Sequence, residues 1–361
     1  MTDPLPLRWD RHSARLLLVL VALMMALGVA VTCSPLAQGF ADKPRAGTND
    51  IGLYQAEVER MGMGQTYYQA AAAELAIRGY PTASVFNWRT PLPMWLIGVL
   101  PDPVFGKALL CGLAIITMLL AFEWMARECG PWPSALSVVW LAGGLLPCFL
   151  TNLYVMPVLW AGTLIALSVC ALGMGRRRLG IAAGIAAVFC RDLAGPYAVF
   201  GLAAAIWQRR WKEAGGWFAG LAAYGIFFLW HAAQVAAWRT PEATAHAESW
   251  LQFGGLPFLL ATTQMHGFLL VLPPWVTALY LPLALVGFVC WTTPAGRFAA
   301  LAAATYMVLF SFVGLQINQY WGSLIAPLLC LGAARSPLAI GGLLQAATGH
   351  GRGRRPWGRP A

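Results

Sequence analysis

Acidic side chains that could act as a catalytic base are concentrated in one polar stretch near the N-terminus. Within the polar stretch of residues 33–103, the part over residues 48–93 contains Asp50, Glu57, Glu59 and Glu74, and Asp42 just upstream brings this cluster to five of the 14 acidic residues. Asp50, Tyr54 and Glu57 are spaced i, i+4, i+7, which places them on one face of a helix, whereas Glu59 falls nearly opposite. A carboxylate on such a face can take the proton of an attacking hydroxyl group. The stretch therefore predicts a reaction site.

Two structural roles compete with catalysis for these carboxylates. Asp50 could cap the start of the helix, because an Asp at that position accepts hydrogen bonds from the first backbone N–H groups. Glu57 could form an ion pair with Arg60 at i+3. The sequence leaves both roles open.

A second short helix is predicted in TYYQAAAAELAIRGYP, ending at Gly79 because Pro81 blocks its continuation. Tyr67 and Tyr68 at its start either contact a substrate or anchor the helix at a membrane interface. The next segment, FNWRTPLPMWLIGVLP, contains an apolar helix too short to span a membrane, so it is predicted to lie along the outer surface. Just before this helix, Arg89 presents a planar fork of donors that suits phosphate oxygens. Interfacial arginines also reach lipid headgroups without any further function.

The composition is that of a membrane protein. Of the 361 residues, 59% are hydrophobic and 11% are charged, and the mean hydropathy is +0.64; a water-soluble domain of this size needs more polar surface. The net charge of +10 comes from short basic clusters beside apolar runs, a pattern typical of topology signals rather than of nucleic-acid binding. The eight cysteines show no metal-ligand spacing. Neither a metal nor a cofactor is expected.

Apolar runs predict an all-α, polytopic helix bundle with about ten membrane segments and a long helical first periplasmic loop. Single spans are predicted near residues 15–32, 104–126, 134–150, 153–174, 214–238, 267–291, 298–314 and 323–345. Residues 179–207 are flanked by basic clusters at both ends, so one crossing would violate the positive-inside bias. Because 29 residues at about 1.5 Å each cannot cross twice at full length, a short helical hairpin is predicted.

The tip of this hairpin, VFCRDLAGPY, holds Arg191 and Asp192. A charge within the bilayer costs about 2.5–3.5 kcal/mol on insertion scales, so such residues are functional hypotheses by default. The alternatives are that the two side chains neutralise one another as a buried pair, or that the tip reaches water. His231 and His266 fall at the predicted outer ends of helices, a position that favours a capping or interfacial role.

The distribution of Lys and Arg predicts the orientation. Most of the 24 basic residues fall on one side when the N-terminus is cytoplasmic and the first span is an uncleaved signal anchor. The expected protein is therefore a bacterial inner-membrane protein with both termini cytoplasmic. Residues 1–345 form one membrane domain, and residues 346–361 form a basic cytoplasmic tail that is predicted to be disordered.

Several motifs carry a resemblance. NDIGLY, YY, RGYP and NWRTPLPMWL, concentrated in residues 50–96, with looser matches in RDLAGPY and NQYWGSLIAP, resemble the multi-pass glycosyltransferases of the C superfamily. The resemblance implies transfer of a sugar, with inversion, from a polyprenyl-phosphate donor to a hydroxyl of a lipid, glycan or protein at the outer face of the inner membrane. Its partners would be that donor and membrane lipids.

The resemblance also implies site residues. The first outer loop of such enzymes bears the catalytic acid, here Asp50 by position, and a basic residue that holds the donor phosphate, here Arg89 or Arg191. The chain departs from the adjacent double-acid pattern because Asn49 precedes Asp50, which leaves the base open between Asp50 and Glu57. The predicted substrate contacts are Tyr54, Tyr68, Asn87, Asp192, Gln319 and Tyr320.

Two other function classes fit the same composition. A transporter or flippase of a lipid-linked or sugar substrate would also be polytopic, but it should show internal repeats with broken helices in matching halves, and the sequence shows neither. A non-catalytic membrane assembly protein would not need Arg191 and Asp192 within the membrane. The sequence does not identify a protein partner.

Overall fold

The described part of the chain is helical. The computed structural model describes residues 9–34, 50–150, 152–245, 249–314 and 316–349, with one isolated antiparallel bridge between Leu251 and Val313. Asp42 and the tail beyond residue 349 lie outside the described residues. Within these ranges the α-helices are α1 (Arg11–Thr32), α2 (Asp50–Gly62), α3 (Tyr67–Ile77), α4 (Leu92–Gly98), α5 (Pro103–Cys129), α6 (Pro131–Gly144), α7 (Leu146–Phe149), α8 (Pro157–Gly173), α9 (Arg177–Cys190), α10 (Gly195–Trp207), α11 (Trp211–Trp238), α12 (Gly255–Thr263), α13 (Gly267–Leu270), α14 (Pro274–Val289), α15 (Pro294–Phe312) and α16 (Ala326–Thr348).

Short 3₁₀ helices connect several of these elements: Val85–Asn87, Leu153–Val155, Asp192–Ala194 and Gln316–Leu324. Five of the described helices, α1, α5, α11, α15 and α16, are long and apolar enough to cross a membrane. Their length and composition are compatible with a multi-pass membrane protein, and the predicted all-helical fold is confirmed for the described residues. The count of ten membrane segments remains a prediction.

Helix α8 lies at the centre of the bundle. Every residue from Pro157 to Leu172 is buried, which agrees with a sequence that is apolar on all faces. Helix α9 packs against it through Gly180, where an added Cβ would lie 2.6 Å from Leu172. The backbones of α14 and α16 also approach closely, because a Cβ on Gly287 would lie 1.9 Å from the carbonyl oxygen of Gly332. Small residues thus allow the helices to pack tightly.

The predicted hairpin is confirmed as two helices. Helix α9 ends at Cys190, Asp192–Ala194 forms a 3₁₀ turn, and α10 begins at Gly195 with Pro196 in its first turn. The chain reverses there, because Arg177 at the start of α9 and Gln208 after α10 line the same cavity. At about 1.5 Å per residue, α9 separates Arg191 from Arg177 by about 21 Å.

The basic residues of two neighbouring helix junctions gather at one end of the bundle, called here the basic end: Arg176, Arg177, Arg178, Arg209, Arg210 and Lys212. Arg176 lies 3.7 Å from Glu123 near the end of α5. Glu128, also on α5, accepts a hydrogen bond from Thr293 just before α15 at 2.9 Å. These contacts fix which helix ends lie together, and Arg191 lies at the opposite end.

The predicted spans are wrong in part for two elements. The span predicted over residues 267–291 is broken into α13 and α14, because Pro273 is extended (φ −58°, ψ 145°) and Pro274 begins a new helix. Helix α12 was not predicted. Helix α4 buries one face, with Met94 and Ile97 fully buried; its place along the outer membrane surface remains a prediction. The capping role is confirmed for His266, whose side chain caps α13 by accepting from the Phe268 amide at 3.2 Å.

Candidate active site

Helices α2 and α3 are joined by one carboxylate. Glu74 on α3 lies 2.5 Å from Arg60 Nε on α2 and 2.5 Å from Arg78 Nη1. The ion pair considered between Glu57 and Arg60 is therefore wrong, because Glu57 points to the buried face of α2 while Arg60 reaches across to α3. The two ion pairs fix the position of α2, which carries Asp50 and Tyr54.

Glu57 is a buried carboxyl group with an incomplete set of partners. Its side chain is 2% exposed, and among the described residues its Oε2 atom has no hydrogen-bond partner. Burial raises the pKa of Glu57 to about 8, which the nearby charge of Arg89 only partly offsets. The group is thus mainly protonated at neutral pH.

Asp50 is more accessible to solvent than Glu57. Its side chain is half-buried, and Oδ1 accepts a hydrogen bond of 2.6 Å from the hydroxyl of Tyr80. Burial, together with this hydrogen bond, raises the pKa of the Tyr80 hydroxyl, so it remains a donor. Within the described part of the chain, Oδ2 has no hydrogen-bond donor. One carboxylate oxygen is therefore oriented, and the other is available to a ligand.

Hydrogen bonds fix both the backbone and the side chain of Arg89. Its Nε donates to the Tyr54 hydroxyl at 3.1 Å, Nη1 donates to the Phe86 carbonyl oxygen at 2.5 Å, and its own carbonyl oxygen accepts from the Tyr67 hydroxyl at 2.7 Å. Its Nη2 has no partner among the residues that the structure describes. Burial raises the pKa of Tyr54, which stays neutral and keeps a proton to donate. Arg89 and Tyr54 thus present donors to one cavity.

Arg191 and Asp192 lie close to this pair. Arg191 is 3% exposed, its Nε lies 3.5 Å from Asp192 Oδ1, and that nitrogen has no hydrogen-bond partner among the described residues. Tyr54 is close enough to interact electrostatically with both Arg89 and Arg191, and Arg89 with both Asp50 and Asp192. Two guanidinium groups and two carboxylates from three separate segments therefore converge around Tyr54.

The 3₁₀ segment Gln316–Leu324 forms the remaining wall of the candidate site. It approaches its neighbours so closely that side chains are excluded: a Cβ on Gly322 would lie 1.8 Å from the Thr262 carbonyl oxygen of α12, and a Cβ on Gly162 of α8 would lie 2.2 Å from the Ser323 carbonyl oxygen. This packing, with Trp321 stacked on Trp250 (5.7 Å between ring centroids), fixes the segment that carries Asn318 and Tyr320.

A pocket of about 520 Å³, a volume that includes its open mouth, lies between these segments. Its wall combines a carboxylate, a guanidinium, aromatic rings and amides, the groups that orient a polyhydroxylated ring and an anionic substituent. The lining residues are Asp50, Leu53, Tyr54, Tyr80, Pro81, Asn87, Arg89, Trp250, Ile317, Asn318 and Tyr320.

Of the residues predicted from the sequence, this pocket brings together five: Asp50, Tyr54, Asn87, Arg89 and Tyr320. Arg191 and Asp192 lie nearby but do not line the pocket. Gln319 and Glu57 do not line it either.

Tyr68 is not brought to the pocket. It is 5% exposed, and its hydroxyl lies 2.7 Å from His231 Nδ1 on α11, whose Nε2 lies 2.9 Å from the Trp88 carbonyl oxygen. This contact joins α3 to α11 and explains the burial of both side chains. Tyr67 is equally buried, so an interfacial anchoring role is wrong for both tyrosines.

Sequence reasoning missed Tyr80 and Trp250 as pocket residues. The signal for Tyr80 was its place in RGYP, directly after Gly79, whose positive φ of 65° ends α3 and turns the chain toward Asp50. Trp250 carried no such signal, because a segment distant in sequence brings it to the pocket. In the described ranges, no group of three or more His, Cys, Asp or Glu residues is placed to hold a metal ion.

Comparison with known proteins adds no relative. No protein-family model, curated protein or solved structure matches this chain.

Proposed function

We propose that this protein is a membrane glycosyltransferase that moves a sugar from a polyprenyl-phosphate donor to a hydroxyl group of a lipid, glycan or protein acceptor. The observation that carries the proposal is the convergence of Asp50, Tyr54 and Arg89 on one pocket with Arg191 beside it. The motif resemblance implied Asp50, and Arg89 or Arg191, independently of their spatial arrangement.

Asp50 is the proposed general base. Its Oδ1 is held by Tyr80, and Oδ2 is available to the acceptor hydroxyl. The alternative base, Glu57, is mainly protonated at neutral pH because of its burial, and it lies outside the pocket lining. The choice left open by the sequence is therefore made in favour of Asp50.

Arg89 and Arg191 are the proposed phosphate ligands. Arg89 has Nη2 available to a ligand, and the Tyr54 hydroxyl beside it has a proton to donate. Arg191 is buried beside Asp192 with an unpaired Nε, so a phosphate oxygen would complete its hydrogen bonds. Two guanidinium groups stabilise the negative charge that develops as the lipid phosphate departs.

The proposed reaction is a single displacement at the anomeric carbon. The acceptor oxygen attacks as Asp50 removes its proton, the new carbon–oxygen bond forms with inversion, and the bond to the phosphate oxygen breaks with its electron pair remaining on the lipid phosphate. The proton resides on Asp50 until it is released to solvent. This chemistry requires no cofactor.

The proposed orientation places the pocket on the periplasmic side of the bacterial inner membrane, with both termini cytoplasmic and ten membrane segments between them. It is supported by the separation of the pocket from the basic end, because cytoplasmic ends of membrane helices are rich in Lys and Arg.

A transfer assay tests the function directly. Purified full-length protein in lipid nanodiscs is incubated with radiolabelled polyprenyl-phosphate sugars and a membrane lipid extract as acceptor source, and label in new products is counted. Transfer is expected from at least one donor and is expected to be lost in Asp50→Asn. Equal labelling by parent and Asp50→Asn protein, or none from any donor with donor binding also absent, would contradict the proposal.

A further inference from the structure

A second cavity lies at the basic end of the bundle, far from the candidate active site. It has a volume of about 480 Å³ including its mouth and is formed where α8, α9, α10, α11 and α15 meet. Its polar wall consists of Arg177, Gln208, Arg210 and Glu213, and its floor is apolar. The proposed glycosyltransferase chemistry makes no use of it.

One carboxylate is shared by two guanidinium groups in this cavity. Glu213 Oε2 lies 3.5 Å from Arg177 Nη1 and 3.7 Å from Arg210 Nη1. Both distances exceed those of normal hydrogen bonds, and neither arginine has another ion-pair partner in the part of the chain that the structure describes. The cavity wall therefore carries one uncompensated positive charge and guanidinium donors that are open to a ligand.

The floor of the cavity is formed by apolar side chains. Trp217 on α11 is 1% exposed and fills the space over Gly201 of α10, where a Cβ would lie 2.7 Å from its ring. Ala204 and Phe298 complete an apolar surface. A ligand that places a charged group on Arg177 and Arg210 thus contacts apolar side chains at the base of the cavity.

The surroundings of the mouth are those of a membrane interface. Trp207 and Trp211 are 89% and 66% exposed, and tryptophans concentrate at the headgroup level of a bilayer. Further exposed cations surround the cavity and would repel the ammonium group of a zwitterionic headgroup: Arg176, Arg178, Arg209 and Lys212. A phosphodiester without an ammonium group carries one negative charge, which matches the single uncompensated charge of the wall.

We infer that this cavity binds the phosphate of an anionic phospholipid, with Arg177 and Arg210 as its ligands and the acyl chains along the lipid-facing helices. The chemistry of recognition is that of a phosphodiester held by two guanidinium groups. Glu213 holds the two arginines in place and limits the affinity, because its charge opposes that of the phosphate.

Lipid binding by the intact protein tests this inference. Full-length protein in neutral detergent is titrated with phosphatidylglycerol or phosphatidylcholine, and bound lipid is counted by native mass spectrometry. Phosphatidylglycerol is expected to bind in preference. The double variant Arg177→Gln/Arg210→Gln should bind it about 30-fold more weakly, since each basic residue near an anionic lipid contributes about 1 kcal/mol, or about fivefold.

A charge-matched control separates a built site from general attraction. Arg178→Gln/Lys212→Gln removes two cations from the same end without touching the cavity and should change the affinity by less than about threefold. Equal weakening in both double variants would overturn the inference. Glu213→Gln is expected to bind phosphatidylglycerol more tightly than the parent, and this variant keeps the inference testable if the arginine pair proves necessary for folding.

A test with inorganic phosphate shows whether the cavity binds a phospholipid headgroup or free phosphate. Millimolar phosphate alone should neither raise the thermal unfolding midpoint nor displace bound phosphatidylglycerol, because it has no acyl chains to contact the lipid-facing helices. Stabilisation by phosphate without any effect of phosphatidylglycerol would overturn the lipid assignment.

Discussion

The hydroxyl of Tyr80 donates a hydrogen bond of 2.6 Å to Asp50 Oδ1 across 30 residues of sequence. This contact links the turn after α3 to the first residue of α2 and directs the carboxylate into the pocket. Tyr80 is thus a positioning residue for the proposed base.

Replacing Asp50 by Asn tests the base assignment. Asn keeps the size of the side chain and can still accept the Tyr80 hydrogen bond and cap a helix, but it cannot take a proton. Turnover should fall by at least about a hundredfold while donor binding and the unfolding midpoint stay near the parent values. Steady-state transfer kinetics and donor-binding titrations measure both quantities.

Tyr80→Phe and Glu57→Gln are the matched controls. Tyr80→Phe removes the hydrogen bond that the Tyr80 hydroxyl donates to the Asp50 carboxylate, which should lower turnover by about tenfold without changing donor affinity. Glu57→Gln should retain most of the activity. Full activity in Asp50→Asn with activity lost in Glu57→Gln would show that the base is Glu57.

The buried Glu57 predicts a pH-dependent stability. Its folded-state pKa of about 8 lies above the ordinary value of 4.5, so the folded protein keeps a proton that the unfolded chain releases. The contribution of Glu57 to the free energy of unfolding is then full below about pH 4.5 and is lost as the pH rises through about 8. Glu57→Gln removes this loss. The unfolding midpoint of the variant minus that of the parent should therefore increase between about pH 5 and about pH 9; a constant difference would show that Glu57 is ionised throughout.

Arg191 and Arg89 are expected to differ from lysine in donor binding. Lysine preserves the charge but not the planar fork, so Arg191→Lys and Arg89→Lys should each weaken donor binding by about tenfold or more while the protein stays folded. Arg191→Ala should weaken it further. Donor binding unchanged in both Arg191 variants would identify Arg191 as structural and leave the phosphate to Arg89.

Tyr68 is expected to act only on stability. Tyr68→Phe leaves His231 Nδ1 buried without its partner, which costs about 1–3 kcal/mol. The unfolding midpoint should drop, while the turnover of the folded protein and its KM for donor remain those of the parent. A selective rise in KM would instead restore Tyr68 as a substrate contact.

Topology can be measured with reporter fusions. Fusions after Pro81, beside the pocket, should report the periplasm, and fusions after Arg297, in the first turn of α15 near the basic end, should report the cytoplasm. The reverse pattern would contradict the proposed use of periplasmic lipid-phosphate sugars.

Local patterns in the sequence predicted much of the structure that local physics determines. Helices α2 and α3 followed from spacing and from the Gly79–Tyr80–Pro81 stop, and the division of residues 179–207 followed from charge at both ends. The partners of individual charges did not follow, because Glu74 draws Arg60 away from its own helix. The burial of α4 depends on packing between helices distant in sequence, which periodicity does not record. The break at Pro273 was a local signal that the hydropathy of residues 267–291 outweighed.

Pocket residues that are close together in the sequence were predicted, and most of those that are distant in the sequence were not. Asp50, Tyr54, Asn87 and Arg89 lie within 40 residues of one another, so a single motif-rich stretch revealed them. Trp250 and Asn318 reach the pocket only through the tertiary fold. Tyr68 was misplaced because its helix face turns toward α11 rather than toward Asp50.

The backbone approach at Gly162 and Gly322 also constrains how this protein can change over evolutionary time. A Cβ at either position would overlap a carbonyl oxygen of the neighbouring segment, so any chain that builds the same pocket wall must keep glycine at both places, whatever happens to the lipid-facing surface. A search for distant kin can therefore combine these two glycines with the NDIGLY and NWRTP stretches, and it needs no overall similarity between the membrane helices.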